Sequence, residues 1–482
     1  MTSDRRGRFY FLSEGIQLNS SKGQKAENNS IDMTQGPLLK PLILFILPVV
    51  GGSVFQQLYN TVDFLFVGNF LDKTAAAAVG ASATLIAITV GMFSGISVGC
   101  SVIAANAIGA RDLDRARKVL HTSVTFGIIG GLTVLAAGFV FAPAILEVLN
   151  TPESVMPQAV SYIRIYLFSV PMLVFYNMVS GCLRAEGDSR SPFIVLVVCG
   201  LLNVVFDALF ILVFRLGVNG AAIATTLTQS LSALFVGILA SRRGRKIRLS
   251  VKELGIDLNT LARILGIGLP TGIQTIVITL SNIIVQYYIN GFGDTAVAAF
   301  ATYYKVENLN WLSIVAFGQA AVTFVGQNMG AGHYKRILKG TLMIIGLGCL
   351  TVTCVSGLVL LFPHTVFRWF MKDEEVIAIA ISLAMVAFPF YFIYPVLEVL
   401  GGAVRSIGYS ITSMLVVIFN MCVLRVVLLA VFSNTFHTVE SLAAVYPITW
   451  ATCAVTFSVI FARLMVRLKQ HALHTGHPEN WS

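Results

Sequence analysis

The stretch LPVVGGSVFQQLYNTVDFLFVG, Leu47 to Gly68, decides the fold. It is 22 residues long, and at about 1.5 Å per residue a helix of that length crosses the ~30 Å hydrocarbon core of a bilayer. A transmembrane β-strand needs only about ten residues and alternates polar with apolar side chains. The stretch is too long and too continuously apolar for that, so it reads as a membrane helix interrupted by one carboxylate, Asp63. Comparable runs recur from Pro41 to Leu468 with short polar breaks between them, twelve in all. Of 482 residues, 56% are hydrophobic and 12% charged, whereas soluble domains carry about 25% charged residues. The expected fold class is an all-α integral membrane protein with twelve transmembrane helices.

A net charge of +10 raises the question of nucleic acid, but the placement of the basic residues assigns them to topology. If the first span leaves the cytoplasm, 26 Lys and Arg lie on the cytoplasmic side and four on the other: Lys73, Arg215, Arg368 and Lys372. By the positive-inside rule both termini are cytoplasmic in a multi-pass plasma-membrane protein, with lipid as its surroundings and no nucleic-acid partner. Residues 1–36 lack the apolar core of a signal peptide and read as a cytoplasmic tail, as do 469–482. In that second tail His471, His474 and His477 read as solvated rather than metal-binding. The seven Cys form no C-x-x-C pair, so neither a disulfide framework nor a zinc site is expected.

An offset of 221 residues lays AAAAVGASATLI…AANAIGARDLDRARKV on TAVAAFATYYKV…VGQNMGAGHYKRILKG, pairing Gly109 with Gly330 and Arg115 with Arg336. The same offset pairs Arg184 with Arg405, Gly187 with Gly408 and Ser189 with Ser410. Pro48 and Pro270 correspond at 222, and Pro143 and Pro363 at 220. The chain is therefore two copies of a six-span unit, and because six is even the copies are parallel repeats, a transporter architecture. The first spans 37–241 and the second 261–468. Between them the basic stretch SRRGRKIRLSVKELGIDLNT, Ser241 to Thr260, reads as a plain linker rather than a helix lying on the inner leaflet. Prolines inside spans, such as Pro48, Pro171, Pro270, Pro389 and Pro395, each remove a backbone hydrogen bond and bend the helix.

An ionised Asp at the bilayer centre costs about 2.5–3.5 kcal/mol, so such residues usually face a cavity or a partner. Asp63 shares one helical face with Gln56, Tyr59 and Asn60, and Asp207 follows Asn203 by one turn in LLNVVFDALFI. Both acids fall about five to eight residues before the outer ends of their spans, roughly 8–12 Å deep. The sixth span enters through GVNGAAIATTLTQS and brings Thr225 to a similar depth. Two carboxylates in one low-dielectric pocket resist ionising together and can exchange a proton. Carboxylate, amide and hydroxyl oxygens can equally coordinate Na⁺. Either makes an ion-coupling site.

The second copy lacks these acids: Asp63 maps to Val285, and the region matching Asp207 reads FNMCVLRVV with Arg425. Its own charges within spans are Lys305 and Glu307, about 200° apart around one helix and so not paired with each other, and Glu398, which is placed to meet Arg425. These read equally as structural ion pairs and as substrate contacts lining a cavity. The aromatic residues Phe388, Phe390, Tyr391, Phe392 and Tyr394 read as packing rather than as a cavity wall.

At these residues the chain resembles the multidrug and toxic compound extrusion (MATE) family, from about Met33 to Leu468. The motifs that carry the resemblance are the opening stretch, AAVGAS, IGARD, LRAEGDSRSP, LNVVFDALFI, GVNGAAIATTLTQS and the second-half echo FVGQNMGAG. The resemblance implies two six-helix lobes around a V-shaped cavity, rocker-switch alternating access, and export of organic, often cationic, compounds in exchange for H⁺ or Na⁺. It carries the family's first-lobe cation site onto Asp63, Asn203, Asp207 and Thr225, with Gln56, Tyr59 and Asn60 lining the same cavity. The seventh span, SNIIVQYYIN, lacks the acid used by one branch, so the chain looks closer to the DinF-like branch.

Three other functions fit the sequence less well. A flippase for lipid-linked precursors would require many basic residues around its cavity, whereas only Arg164, Lys305 and Arg425 fall within spans. An intramembrane enzyme would require a nucleophile–base or metal constellation, and no H-E-x-x-H or G-x-x-x-x-G-K-[ST] occurs. A passive channel fits poorly with two unlike halves around one polar pocket. The expectation is a monomeric, non-enzymatic secondary transporter of small molecules that needs no cofactor beyond its coupling ion.

Overall fold

The computed structural model describes residues 30–474, which form the twelve expected spans, eleven continuous and one bent. In the first half these are α1 (Leu39–Phe70), α2 (Lys73–Gly109), α3 (Leu113–Val148), α4 (Met156–Ala185), α5 (Arg190–Val213) and α6 (Val218–Ala240). In the second they are α7 (Leu258–Asn290), α8 (Asp294–Gly330), α9 (Tyr334–Leu361), α10 (Glu374–Phe390 and Ile393–Ser406, bent by 53°), α11 (Ser410–Phe436) and α12 (Val439–His474). A short helix, Pro363–Arg368, joins α9 to α10. No strand occurs among the described residues.

Aspartates mark the entries. Asp72, Asp112 and Asp257 accept hydrogen bonds from the backbone N–H groups of Ala75, Arg115 and Thr260 at 2.7, 2.9 and 2.7 Å. Each satisfies an N–H that would otherwise lack an intrahelical partner, worth about 1 kcal/mol. The duplication is visible in the helix ends: α2 and α8 begin and finish 221 residues apart. These two helices form the centre, with α2 lying along α7 and α8, and α8 against α10. Leucines such as Leu47, Leu58 and Leu65 face outward along α1, as expected of a helix solvated by lipid.

The segments on either side of the first repeat are not free. Residues 30–36, expected as the end of a polar tail, run across the seam between the two halves. The Ile31 N–H donates to Gly187 O at 3.2 Å. Gly187 has φ +93°, and a Cβ there would overlap the Ile31 carbonyl, so only glycine admits this crossing. Met33, 1% exposed, donates its N–H to Gln327 Oε1 at 3.1 Å. Arg336 then clasps three carbonyls of the strap, Met33, Gly36 and Gln35, at 3.0, 2.7 and 3.0 Å. The strap thus joins the first half at Ile31 to the second at Gln327 and Arg336.

The linker is likewise docked rather than plain. Arg245 bridges the buried carboxylates of Glu186 and Asp188 at 3.4 and 2.7 Å, and Ile247 and Leu249 are buried. The Ser250 N–H donates to His121 Nε2 at 3.0 Å, so His121 carries its proton on Nδ1 and donates it to Arg117 O at 2.8 Å. At the other end α12 continues to His474, past the expected boundary at Leu468, and includes His471; His477 lies outside the described residues.

Candidate substrate and cation site

Two features of α5 fix Asp207. The α-helical pitch stops at this residue, and Ala208–Val213 continue as a π-helix. Such π segments are rare and cluster at functional sites, because the extra residue rotates the side chains that flank it. Asp207 is 0% exposed and Asn203, one turn earlier on the same face, is 2% exposed. Asp63 on α1 is half-buried, as is Thr225 on α6. Tyr162 of α4 stands within electrostatic reach of both acids.

The oxygens of this group lack donors. Asp63 Oδ1, both carboxylate oxygens of Asp207 and Asn203 Oδ1 are buried and accept no hydrogen bond from any described residue. Buried polar atoms in native proteins are nearly always satisfied, and a carboxylate left without a donor costs several kcal/mol. The oxygen set suits a proton or a hard monovalent cation.

A cavity of about 320 Å³ lies one helical turn away on all three helices. Tyr59, Gly200 and Thr228 line it, and Asp63, Asn203 and Thr225 stand four, three and three residues further toward the same end. Of the predicted lining residues the structure brings Gln56 and Tyr59 to this cavity. The side chain of Asn60 lies outside the described residues. Arg184, Asn177 and Gln319 also line it, and sequence reasoning missed them as cavity residues. The repeat match of Arg184 with Arg405 was the available signal.

The second-half charges line no part of this cavity. Glu398 was expected to meet Arg425; instead its Oε1 lies 3.6 Å from Arg405 Nη2, two turns along the same helix. Arg425 opens the α-helix that follows a second π segment, Phe419–Leu424, and its guanidinium stacks 4.8 Å from the Tyr446 ring centroid. Glu307 accepts a hydrogen bond from the Tyr391 hydroxyl, inside a cluster with Tyr303 and Phe388. Lys305, two residues away, is exposed. The aromatic run divides similarly: Phe388, Tyr391 and Tyr394 are core, whereas Phe390 and Phe392 are exposed.

Comparison with known proteins gives a consistent result. The MatE family profile matches twice, at residues 48–209 and 270–431, two stretches of equal length at the offset of Pro48 and Pro270. The chain is 31% identical over 405 residues to the probable multidrug resistance protein YpnP of Bacillus subtilis, covering 83% of this chain and 90% of that protein. It is 23% identical over 348 residues to the multidrug export protein MepA of Staphylococcus aureus, 72% of this chain and 76% of that one. A solved structure described as the outward-facing conformation of a multidrug resistance MATE family transporter superimposes with a TM-score of 0.88 at 22% identity, over 92% of this chain and 100% of that one. The doubled profile match, the YpnP relationship and the shared twelve-helix architecture establish that the chain belongs to the MatE family, the multidrug and toxic compound extrusion transporters.

Proposed function

We propose that this transporter exports organic compounds from the cytoplasm across the plasma membrane in exchange for H⁺ or Na⁺, and that Asp63, Asn203, Asp207 and Thr225 hold the exchanged cation. The observation that carries this reading is the group of buried, donorless oxygens on Asp63, Asn203 and Asp207 beside the cavity. Protonation of either carboxyl removes its charge; a bound Na⁺ would satisfy the same oxygens with its own. In either case binding lowers the desolvation cost of the buried carboxylate oxygens, and release restores it. That alternation biases the two lobes between packings, with α1 and α7, each weakened by an internal proline, supplying the flexibility.

The relatives' names support organic, multidrug cargo. The DinF-like branch, cytoplasmic termini, a monomeric state, and lobes bounded at 37–241 and 261–468 belong to the same proposal. The test is efflux of a fluorescent organic cation from proteoliposomes under an imposed pH gradient and, separately, a Na⁺ gradient. One of the two gradients is expected to drive efflux; indifference to both in folded protein would remove the proposal.

A further inference from the structure

The two halves place an arginine at the same position and surround it differently. In the second half Arg405 is buried, with Nη2 3.6 Å from Glu398 Oε1 and Nη1 3.4 Å from Ser413 Oγ. The 221-residue offset that pairs Arg405 with Arg184 carries Glu398 onto Asn177. The first half therefore carries an amide, Asn177, at the position from which Glu398 reaches the arginine of the second half. Among the described residues no carboxylate stands within salt-bridging distance of the Arg184 guanidinium. The acids next to it in the chain, Glu186 and Asp188, are engaged by Arg245 at 3.4 and 2.7 Å, and Glu186 also accepts from the Lys246 N–H at 2.9 Å.

Arg184 and Asn177 both line the 320 Å³ cavity, Arg184 at the C-terminal end of α4 and Asn177 seven residues before it; α4 runs opposite to α1, whose Asp63 lies toward that helix's C-terminal end. Among the described residues Arg184 is the one charged residue in that lining; Ser97, Gln229, Gln319 and Thr323 contribute hydroxyl and amide groups. A half-buried guanidinium without a counter-charge in low dielectric is costly, and a planar carboxylate meets its donor fork with two parallel hydrogen bonds. We propose that Arg184, assisted by Asn177, binds the carboxylate of the exported compound. The cargo then includes zwitterionic amphiphiles whose anionic group sits at Arg184, with the cationic group toward the Asp63–Asp207 end. This rests on reading the cavity as the substrate path.

The test is equilibrium binding, by fluorescence anisotropy on the detergent-solubilised full chain, of rhodamine 110, which has a free carboxylate, and rhodamine 123, its methyl ester. The wild type is expected to bind the acid about tenfold or more tighter than the ester, as suits one charge-assisted pair. Arg184→Gln should lose that preference while keeping ester binding. Asn177→Glu, which rebuilds the Glu398–Arg405 arrangement with Arg184 in place, should lose it too, and serves if the arginine variant does not fold. Equal binding of both dyes by the wild type, or undiminished acid binding by Asn177→Glu, overturns the proposal. Displacement of the acid dye by an equal concentration of short-chain phosphatidic acid would assign Arg184 to a lipid phosphate and overturn it as well; continued binding supports an exported carboxylate. No ion gradient enters the measurement, so failure here is distinct from failure of cation coupling.

Discussion

Gly109 and Gly330, 221 residues apart, close on one another's helices reciprocally: a Cβ on Gly109 would overlap the carbonyl oxygen of Gln327, and a Cβ on Gly330 that of Asn106. Asn106 and Gln327 are themselves repeat mates, so the α2–α8 crossing follows the pseudo-twofold relation of the two halves. Without side chains the backbones meet directly and seal the lobes at this end. Gly109→Ala and Gly330→Ala are each expected to pry the crossing open, with an overpacking cost of about 1–3 kcal/mol. A cysteine introduced at Gln319 and probed with a membrane-impermeant thiol reagent should become more reactive from the side carrying α2's C-terminus. Unchanged labelling in both variants would contradict a backbone seal there.

Arg336 is the clasp of the strap. Truncation by Arg336→Ala removes three hydrogen bonds from a charged donor, each worth about 1.5–3 kcal/mol at most, and frees residues 30–36 from the second half. Hydrogen exchange of the Met33 and Ile31 amides is expected to accelerate together, although Ile31 bonds only to the first half. Acceleration at Met33 alone would mean that the strap does not act as a unit.

Arg245 holds two carboxylates that are each about 1% exposed. Burial pushes the Glu186 carboxyl above its usual range, with Arg245 opposing that rise. A carboxyl with a raised folded-state pKa binds a proton more readily folded than unfolded, so its contribution to stability falls as pH rises from the unfolded value, about 4.3, through the folded one. Removing Arg245 strengthens this dependence. Arg245→Ala should therefore cost about 3–5 kcal/mol at pH 8 and markedly less at pH 5, read from thermal unfolding at both pH values. Equal cost at both would show that Glu186 does not titrate in this range.

The spans, the duplication and the two first-half acids were legible in the sequence because each is a local signal: length, offset, or a charge inside an apolar run. What escaped was long-range. The strap pairs Met33 with Gln327 and Asn328, 294 and 295 residues away, and nothing in SIDMTQG announces it. Glu398 was assigned a partner across helices when Arg405 lay two turns along its own. The π segments after Asp207 and before Arg425 shift register without a distinctive residue pattern. Arg184 escaped as a cavity residue because the offset that matches Asn177 to Glu398 gains meaning only from the Glu398–Arg405 contact and the cavity lining, both of which appear only in space.

Asp207→Asn and Asp63→Asn should leave the fold intact. Each replaces an acid with donorless buried oxygen, both oxygens of Asp207 and Oδ1 of the half-buried Asp63, with a neutral side chain of the same shape, so thermal unfolding midpoints are not expected to fall. Coupled efflux should nevertheless be lost in both. A drop in midpoint of several degrees would show instead that the acid is a structural partner.

The most direct test of the exchange itself runs the cycle backward. With no ion gradient imposed, a gradient of organic substrate across proteoliposomes should drive counterflow of the coupling cation, read as a lumenal pH change or as ²²Na⁺ movement, and Asp207→Asn should abolish it. Substrate movement without either cation flux, or cation flux that persists in Asp207→Asn, would contradict the account.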